Sequence, residues 1–433
     1  MKHVSSRERL ERALEKIGDP KGEGARACLT VYRERAAAEA DAADARARDN
    51  TRRGPLDGAI VSIKDLFDVA GEVTRAGSAV LVEEGKVAAA DAPVVQRLRA
   101  AGAVIVAKTN MTEFAFSGVG ANPHFGTPGN PADRARVPGG SSSGGAVAVG
   151  DGMCEIAIGS DTGGSTRIPA ALCGIVGWKP SKQRVPTDGA FPLSFTLDSI
   201  GPMANSVAEC ATADAVMAGE APRTLEPASL AGLRIGLPQG FPFDALDRDV
   251  ETRVSPAVRA VEKAGARVTD EPMPLFDEMA RVNAGGGFSP AEAYTIHRER
   301  LARRGDDIDP NVRFRIERGA RITPADYAQM VKARGRLVKA MDERLAGLDA
   351  LMLPTTPIAA PTIAEVADRE TFARKNMLLL RNTAWVNFFD LCAISLPLRS
   401  AGNAPVGLML VARNGHDSDL FRIAAAVERL FSR

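Results

Sequence analysis

Two serines framed by glycines are the residues of this chain whose type and setting could do chemistry. Ser141 lies in Pro-Gly-Gly-Ser-Ser-Ser-Gly-Gly (138–145), and Ser165 lies in Gly-Ser-Asp-Thr-Gly-Gly-Ser-Thr-Arg (159–167). A serine hydroxyl is a poor nucleophile at neutral pH unless a base removes its proton, and Lys64 in Val-Ser-Ile-Lys is a candidate base. Glycines let backbone N–H groups face a developing oxyanion without Cβ obstruction. This combination is typical of acyl transfer.

The lysine can act as a base only if the protein keeps it neutral. A free lysine, with a pKa of about 10.4, is almost entirely protonated at pH 7, so Lys64 must be buried. It follows the apolar alternation of residues 59–63, which predicts a strand. The residues alone leave two interpretations open, because a lysine in such a run is either the inward end of a strand or a solvated edge.

The chain resembles the amidase signature family of serine amidases over most of its length. The similarity lies in the two serine loops and in residues 56–65, 103–114, 351–357 and 405–412. The resemblance implies that Ser165 is the nucleophile, that Ser141 relays protons and that Lys64 is the base. It also implies a serine amidohydrolase that cleaves a carboxylic amide to an acid plus ammonia or an amine through an acyl-enzyme. The implied fold is α/β, with a large mixed, mostly parallel wound sheet covered by helices on both faces.

Further site residues are expected around this triad. The backbone N–H groups expected to form an oxyanion hole are those of Thr162, Gly163, Gly164 and Ser165. Supporting roles are expected for Ser142, Ser160, Asp161 and Arg167. The expected walls of the substrate pocket are Met111, Phe116, Ser117 and Trp178. Such walls predict an uncharged, partly apolar acyl group, whereas an anionic substrate would instead require Arg167 or an arginine within 299–321 as a clamp. The chemistry needs neither a metal nor a cofactor.

Other chemistries are weaker matches. Residues 140–144 have the Gly-x-Ser-x-Gly pattern of a nucleophile elbow, which would make Ser142 the nucleophile, but the preceding residues are polar and contain two prolines rather than a buried strand. Residues 159–166 have P-loop spacing but carry a serine in place of the lysine. The four histidines lie outside the glycine-rich loops, which disfavours a Ser-His-Asp triad without excluding it. Cys173 lies among apolar residues and is expected to be a core side chain.

Composition indicates one soluble globular protein without a global charge. The 433 residues include 55 Lys plus Arg and 54 Asp plus Glu, for a formal charge of +1, so nothing favours nucleic acid or an anionic membrane as a partner. The five scattered cysteines are expected to be reduced and mostly buried. We find no signal peptide or apolar run of about 18 residues, so the expected location is the cytoplasm. The expected partner is a small-molecule amide, with the protein a monomer or homo-oligomer.

The order of predicted elements supports a wound sheet within a single domain spanning 1–433. Residues 1–55 are predicted to form peripheral helices, over 5–17 and 29–48, and residues 56–220 to form the catalytic core. Alternating strands and helices then continue to a closing helix over 418–431. The polar helical segment 275–345 is weakest in resemblance to the family and is expected to shape the substrate pocket.

Two other functions remain open at this point. The chain also resembles the A subunit of glutamine amidotransferase, which belongs to the same family and acts with partner proteins on aminoacyl-tRNA. The central residues 313–323 depart from the pattern associated with that protein. A binding scaffold without catalysis is the third hypothesis, and the presence of all three catalytic positions argues against it.

Overall fold

A computed structural model of the protein describes residues 4–398 and 404–431. Its eleven strands are β1 (Cys28–Val31), β2 (Ile60–Lys64), β3 (Val104–Thr109), β4 (Ile156–Asp161), β5 (Val176–Lys179), β6 (Ser199–Ala204), β7 (Arg234–Pro238), β8 (Arg267–Glu271), β9 (Ala350–Pro354), β10 (Cys392–Leu398) and β11 (Val406–Ala412). The α-helices among the described residues are α1 (Ser6–Gly18), α2 (Gly24–Ala27), α3 (Arg33–Arg48), α4 (Ala79–Glu84), α5 (Pro93–Ala100), α6 (Ser143–Gly150), α7 (Arg167–Cys173), α8 (Val207–Ala218), α9 (Arg248–Lys263), α10 (Leu275–Val282), α11 (Phe288–Arg304), α12 (Pro310–Glu317), α13 (Pro324–Leu345), α14 (Arg369–Arg381), α15 (Ala384–Phe388) and α16 (Asp417–Phe431). Short 3-10 helices cover Glu113–Ala115, Phe241–Phe243, Gly305–Asp307, Arg318–Arg321 and Glu365–Ala367.

All eleven strands form one sheet in the order β1-β3-β2-β4-β6-β5-β10-β11-β9-β7-β8. The sheet is mixed, as the sequence predicted. The expectation that it is mostly parallel needs correction, because six of its ten strand pairings are antiparallel and four are parallel. The parallel pairings join β2 to β3 and β4, and β7 to β8 and β9. The β10–β11 pair runs antiparallel between these two parallel groups.

Helices cover both faces of this sheet. Strand residues alternate between faces, so that Val61 of β2 packs in the core beneath α5, α8, α9 and α16, whereas Ile60 packs with α1, α3 and α6 on the opposite face. On that opposite face, Met409 and Val411 of β11 pack against α13 and α15. The period-two alternation of a strand therefore places apolar side chains on both faces of the sheet, where helices cover them as expected.

The N-terminal segment is only partly as expected. Helix α1 begins at a capping box formed by Ser5 and Glu8, as predicted. The second predicted helix begins later than expected, since Cys28–Val31 form the edge strand β1, antiparallel to β3, before α3 starts at Arg33. The segment thus contributes a strand as well as peripheral helices.

The arrangement of two strands bears on the site. Strands β2 and β4 are parallel neighbours, with Ile63 opposite Ile158, so their carboxyl ends lie at the same edge of the sheet.

All five cysteines are buried and unpaired, as predicted. Among residues 4–398 and 404–431, no helix combines the length and apolarity needed to cross a bilayer.

Candidate active site

Lys64 lies at the carboxyl end of β2 and its side chain is fully buried. Its Nζ donates hydrogen bonds to Ser141 Oγ at 2.7 Å and to Ser160 Oγ at 2.9 Å. Ser160 belongs to the adjacent parallel strand β4, and Ser141 precedes α6. The peptide bond between Gly140 and Ser141 is cis. The buried interpretation of the lysine is therefore confirmed and the solvated one is wrong.

The electrostatic setting of Lys64 favours a neutral amine. Burial lowers the pKa of Lys64 to about 7, against the opposing effect of the negative charges of Asp161 and Asp198. Both hydrogen-bond partners of its Nζ are neutral hydroxyls rather than carboxylates. A substantial fraction of the side chain is accordingly unprotonated at neutral pH, as a general base requires.

Ser165 lies in the loop between β4 and α7 and lines an open cavity of about 370 Å³. Its carbonyl accepts a hydrogen bond from the Ser142 N–H at 3.3 Å, which joins the two serine loops. Its Oγ forms no hydrogen bond with a described residue, so the link between Ser141 and Lys64 is present whereas the one between Ser141 and Ser165 is not formed in this state. Catalytic hydrogen bonds are often long without substrate.

Three of the four predicted oxyanion donors face the cavity, and the fourth does not. Thr162, Gly163 and Ser165 line the cavity, and their N–H groups donate to no described residue. The Gly164 N–H instead donates to Asp161 Oδ1 at 2.8 Å, and Gly164 does not line the cavity. Gly164 has a φ of +132°, and a Cβ there would collide with the Thr383 side chain. A glycine is therefore needed at this position for the loop conformation rather than for an oxyanion contact.

A buried ion pair holds the Ser165 loop in place. Arg167 Nε and NH2 donate to the two carboxylate oxygens of Asp161 at 3.0 and 2.9 Å, and neither side chain is exposed. Burial raises the pKa of Asp161, but the charges of Arg167 and Lys179 and the hydrogen bonds from Arg167 and Asn387 together hold that pKa below its usual range. Asn387 of α15 bonds both partners, through its Oδ1 to Arg167 and its Nδ2 to Asp161. Both residues thus have supporting positions, and Arg167 does not line the cavity.

The other predicted supporting serines lie beneath the site. Ser142 donates to the Ser160 carbonyl at 3.4 Å and Ser160 accepts from Lys64. No strand precedes Ser142, since residues 137–142 are irregular and lead directly into α6. The structural context of a nucleophile elbow is therefore absent here.

Two of the four predicted pocket residues line the cavity. Phe116 and Ser117 are among its walls, whereas Met111 and Trp178 are not. Trp178 stacks on Phe421 with ring centroids 3.9 Å apart and donates its indole N–H to Asp214, so it is a core residue on the far side of the sheet. Met111 is likewise fully buried in that core. The prediction of a pocket role for these two residues is wrong for this cavity.

The cavity draws most of its walls from the C-terminal half of the chain. Nine of its 23 lining residues fall within 275–345, including Phe288, Arg315 and Arg318. A further group comes from α14 and α15, including Met377 and Trp385. The sequence analysis identified the segment 275–345 but not its individual wall residues. It missed Asn387 and α15 entirely, because nothing local in sequence connects them to a loop more than 200 residues earlier.

Histidine and cysteine take no part in the described contacts of Ser165. His124 bonds Glu113 at 3.1 Å and His297 bonds Arg300, while His416 lies near the surface beside Asp419. Cys173 is buried with its Sγ toward the Pro138 carbonyl, and desolvation raises the pKa of its thiol above the ordinary range. A thiolate is the reactive form of cysteine, so this thiol is inert in the present setting.

The fold and the sequence together place the chain in a known family. A family model described as Amidase matches residues 10–421, and the chain belongs to that family. A solved structure described as an amidase superimposes with a TM-score of 0.87 at 31% identity, covering 99% of this chain and 96% of the other.

Two curated relatives differ in what their names describe. One is 2-amino-5-chloromuconic acid deaminase from Comamonas testosteroni, 35% identical over 88% of this chain and 83% of the relative. The other is the A subunit of glutamyl-tRNA(Gln) amidotransferase from Anaeromyxobacter dehalogenans (strain 2CP-C), 35% identical over 99% of this chain and 93% of the relative. The chain is therefore an enzyme of a family that acts on carbon–nitrogen bonds, as the sequence indicated.

Proposed function

We propose that this protein is an amidohydrolase that cleaves the amide of a small molecule through an acyl-enzyme on Ser165. The observation that carries the proposal is the hydrogen bond between the buried Lys64 and Ser141, because the surroundings of this lysine favour a neutral amine at neutral pH. Ser165, the proposed nucleophile, lines a cavity large enough for a small substrate.

The first half of the reaction forms the acyl-enzyme. Ser165 Oγ attacks the amide carbonyl carbon, its proton passes to Ser141 Oγ, and the Ser141 proton passes to Lys64 Nζ. The carbonyl oxygen becomes an oxyanion that the free N–H groups of Thr162, Gly163 and Ser165 stabilise. When the carbon–nitrogen bond breaks, the relay runs in reverse and the leaving nitrogen takes the proton.

Water completes the second half. A water molecule attacks the ester carbonyl while the neutral relay accepts its proton, and the acid leaves as Ser165 regains its hydrogen. Asp161 and Arg167 act through position only, since they brace the loop that carries the nucleophile and the oxyanion donors. The name of the deaminase relative describes removal of an amino group from an acid, which supports release of ammonia from this site.

Ammonia transfer from glutamine in a complex is the alternative function. The similarity to the A subunit of the amidotransferase, over 99% of this chain, supports it. An activity assay of the purified protein without partner proteins distinguishes the two functions, because a stand-alone amidohydrolase hydrolyses simple amides under that condition. Activity that appears only on glutamine, and only with added partner proteins, would contradict the hydrolase proposal.

Covalent labelling tests the nucleophile directly. A serine-directed fluorophosphonate should modify Ser165, and peptide mapping should locate the adduct there. Ser165→Ala should abolish the label while the protein stays folded, because the change deletes only one oxygen atom. Ser142→Ala is the matched control, in which labelling should persist. An adduct on Ser142, or one that survives Ser165→Ala, would refute the assignment.

A further inference from the structure

Arg315 of α12 lines the cavity without an anionic partner. Its guanidinium stacks on Phe116, with Cζ 4.5 Å from the ring centroid. Among the described residues it forms no ion pair and donates no hydrogen bond, and its Nε is buried and unsatisfied. The nearby charge that acts on it is a second cation, Arg318. An anionic ligand in the cavity would stabilise this cation, because its Nε–H has no acceptor and the ring face replaces only part of the hydration of the guanidinium.

Another arginine of the same helix is held differently from Arg315. Arg313, two residues earlier, points away from the cavity and forms ion pairs with Asp306 and Glu317. Burial lowers the pKa of Arg315 to about 10, which still leaves it protonated at neutral pH. Arg313 thus has anionic partners, whereas Arg315 and its neighbour Arg318, which both line the cavity, form no ion pair among the described residues.

The charge of the cavity walls has one sign. Three arginines line the cavity, Arg315, Arg318 and Arg381, and no aspartate or glutamate is among its described lining residues. Arg381 donates to the main-chain carbonyl of Asp244, so its hydrogen-bonding capacity is partly used. The remaining walls are largely apolar, including Phe116 and Phe288. Such a site attracts a carboxylate but offers no acidic side chain to an ammonium group.

We propose that the amide cleaved at Ser165 carries a carboxylate and no ammonium group, as in the monoamide of a dicarboxylic acid, and that Arg315 binds this carboxylate. This inference rests on the proposed function, since Ser165 and Arg315 line one cavity. It replaces the sequence-based expectation of an uncharged acyl group. The apolar walls of the cavity suit the hydrocarbon spacer of such a substrate.

Three matched substrates test the charge requirement. Glutaramic acid carries the amide and the carboxylate, pentanamide replaces the carboxylate by a methyl group, and glutamine adds an ammonium group. Succinamic and adipamic acids, with their neutral analogues, extend the comparison to other spacer lengths. We expect kcat/KM for the best monoamide to exceed that for its neutral analogue and for glutamine by about 100-fold.

Variants then assign the effect to one side chain. Arg315→Gln should lower kcat/KM for the monoamide by about 100-fold and change kcat/KM for the neutral amide by less than about threefold. Arg315→Lys should recover part of the loss, because it restores the charge without the bidentate geometry. Arg313→Gln, on the same helix but outside the cavity, should leave both values near wild type. Equal losses on both substrates in Arg315→Gln would mean that the arginine only supports the fold, and would overturn the inference.

The experiments distinguish a wrong substrate class from a wrong proposed function. Ser165 labelling together with preference for neutral amides or for glutamine would overturn the inference and leave the amidohydrolase standing. Absence of both labelling and hydrolysis would overturn the proposed function. In that case calorimetric titration of Ser165→Ala with glutarate still decides the anion site. Binding that Arg315→Gln abolishes supports the site, and absence of binding overturns it.

Discussion

Replacing Lys64 by methionine should abolish catalysis and at the same time stabilise the protein at neutral pH. Methionine has an unbranched side chain of similar length but no charge, so it removes the base and also the cost of burying an ammonium group. A pKa lowered from the ordinary 10.5 to about 7 means that the folded state disfavours the protonated amine. At pH 7 the burial of Lys64 therefore lowers the free energy of unfolding of the wild-type protein by about 4 kcal/mol.

Loss of the hydrogen bonds that Lys64 makes offsets part of the stability gained by the Lys64→Met variant. The Lys64→Met substitution would leave the hydroxyls of Ser141 and Ser160 without their Nζ donor, which costs about 1–3 kcal/mol in total. The net expectation is a variant more stable than wild type by about 2 kcal/mol at pH 7. Because the chain is large and need not unfold in two states, the measured quantity should be the difference in Tm between variant and wild type at each pH.

The sign of this difference should change with pH. Between pH 7 and 10.5 the unfolded chain binds more protons at Lys64 than the folded chain does, so wild-type stability rises with pH over that window. At pH 10 the burial cost has fallen to about 1 kcal/mol, and the methionine variant should have lost its advantage. The activity of wild type should rise with pH through the same apparent pKa of about 7, since only the neutral amine accepts a proton.

Lys179 provides a matched control for this experiment. It is also fully buried in the sheet, and burial lowers its pKa to about 8, but its Nζ bonds the carbonyls of Pro180 and Leu391. Lys179→Met should show a pH-dependent Tm difference of the same sign and keep activity within about tenfold of wild type. A Lys64→Met variant that is less stable than wild type at pH 7, or whose Tm difference does not vary with pH, would refute the reasoning.

Two further experiments test the proton relay and the Asp161–Arg167 ion pair. Lys64→Ala and Ser141→Ala should each lower kcat by several orders of magnitude while the double variant loses little more, because the two residues act as one unit; additive losses would argue against a relay. Arg167→Met should leave the Asp161 carboxylate buried without its partner and cost about 3–5 kcal/mol, measured as a large fall in Tm, whereas retention of wild-type Tm would show that the pair does not hold the loop.

The parts of this site that the sequence predicted are those carried by local pattern. Ser141 and Ser165 stand out because glycine runs flanked by apolar segments are rare outside tight functional loops, and Lys64 follows a clear strand pattern. The structure brings Lys64 into contact with Ser160 across the neighbouring parallel strands β2 and β4, and with Ser141 in the loop that leads into α6. The capping box at Ser5 likewise depends only on residues within one turn.

The parts that sequence reasoning missed depend on contacts between distant segments. Strand direction follows from how connections cross the sheet, so the antiparallel β10–β11 pair could not be inferred from apolar runs alone. Trp178 sits beside the nucleophile loop in sequence, yet its strand turns it toward α16 on the opposite face. The sequence indicated an arginine within 299–321 as the clamp of an alternative, anionic substrate, but it could not single out Arg315, because an arginine on a polar helix is ordinarily a solvated residue.

The place of β10 and β11 in the sheet has a consequence for biosynthesis. These two strands are the last of the eleven to leave the ribosome. They nevertheless lie between β5 and β9 and join the two halves of the sheet. Until they emerge, the nascent chain carries two partial sheets whose inner edges, at β5 and β9, have no neighbour. Unpaired edges of this kind recruit other strands, so the incomplete chain should depend on chaperones and aggregate readily when truncated before residue 392. Synthesis of residues 392–412 thus closes the sheet and, through it, joins the two serine loops to the walls of the cavity.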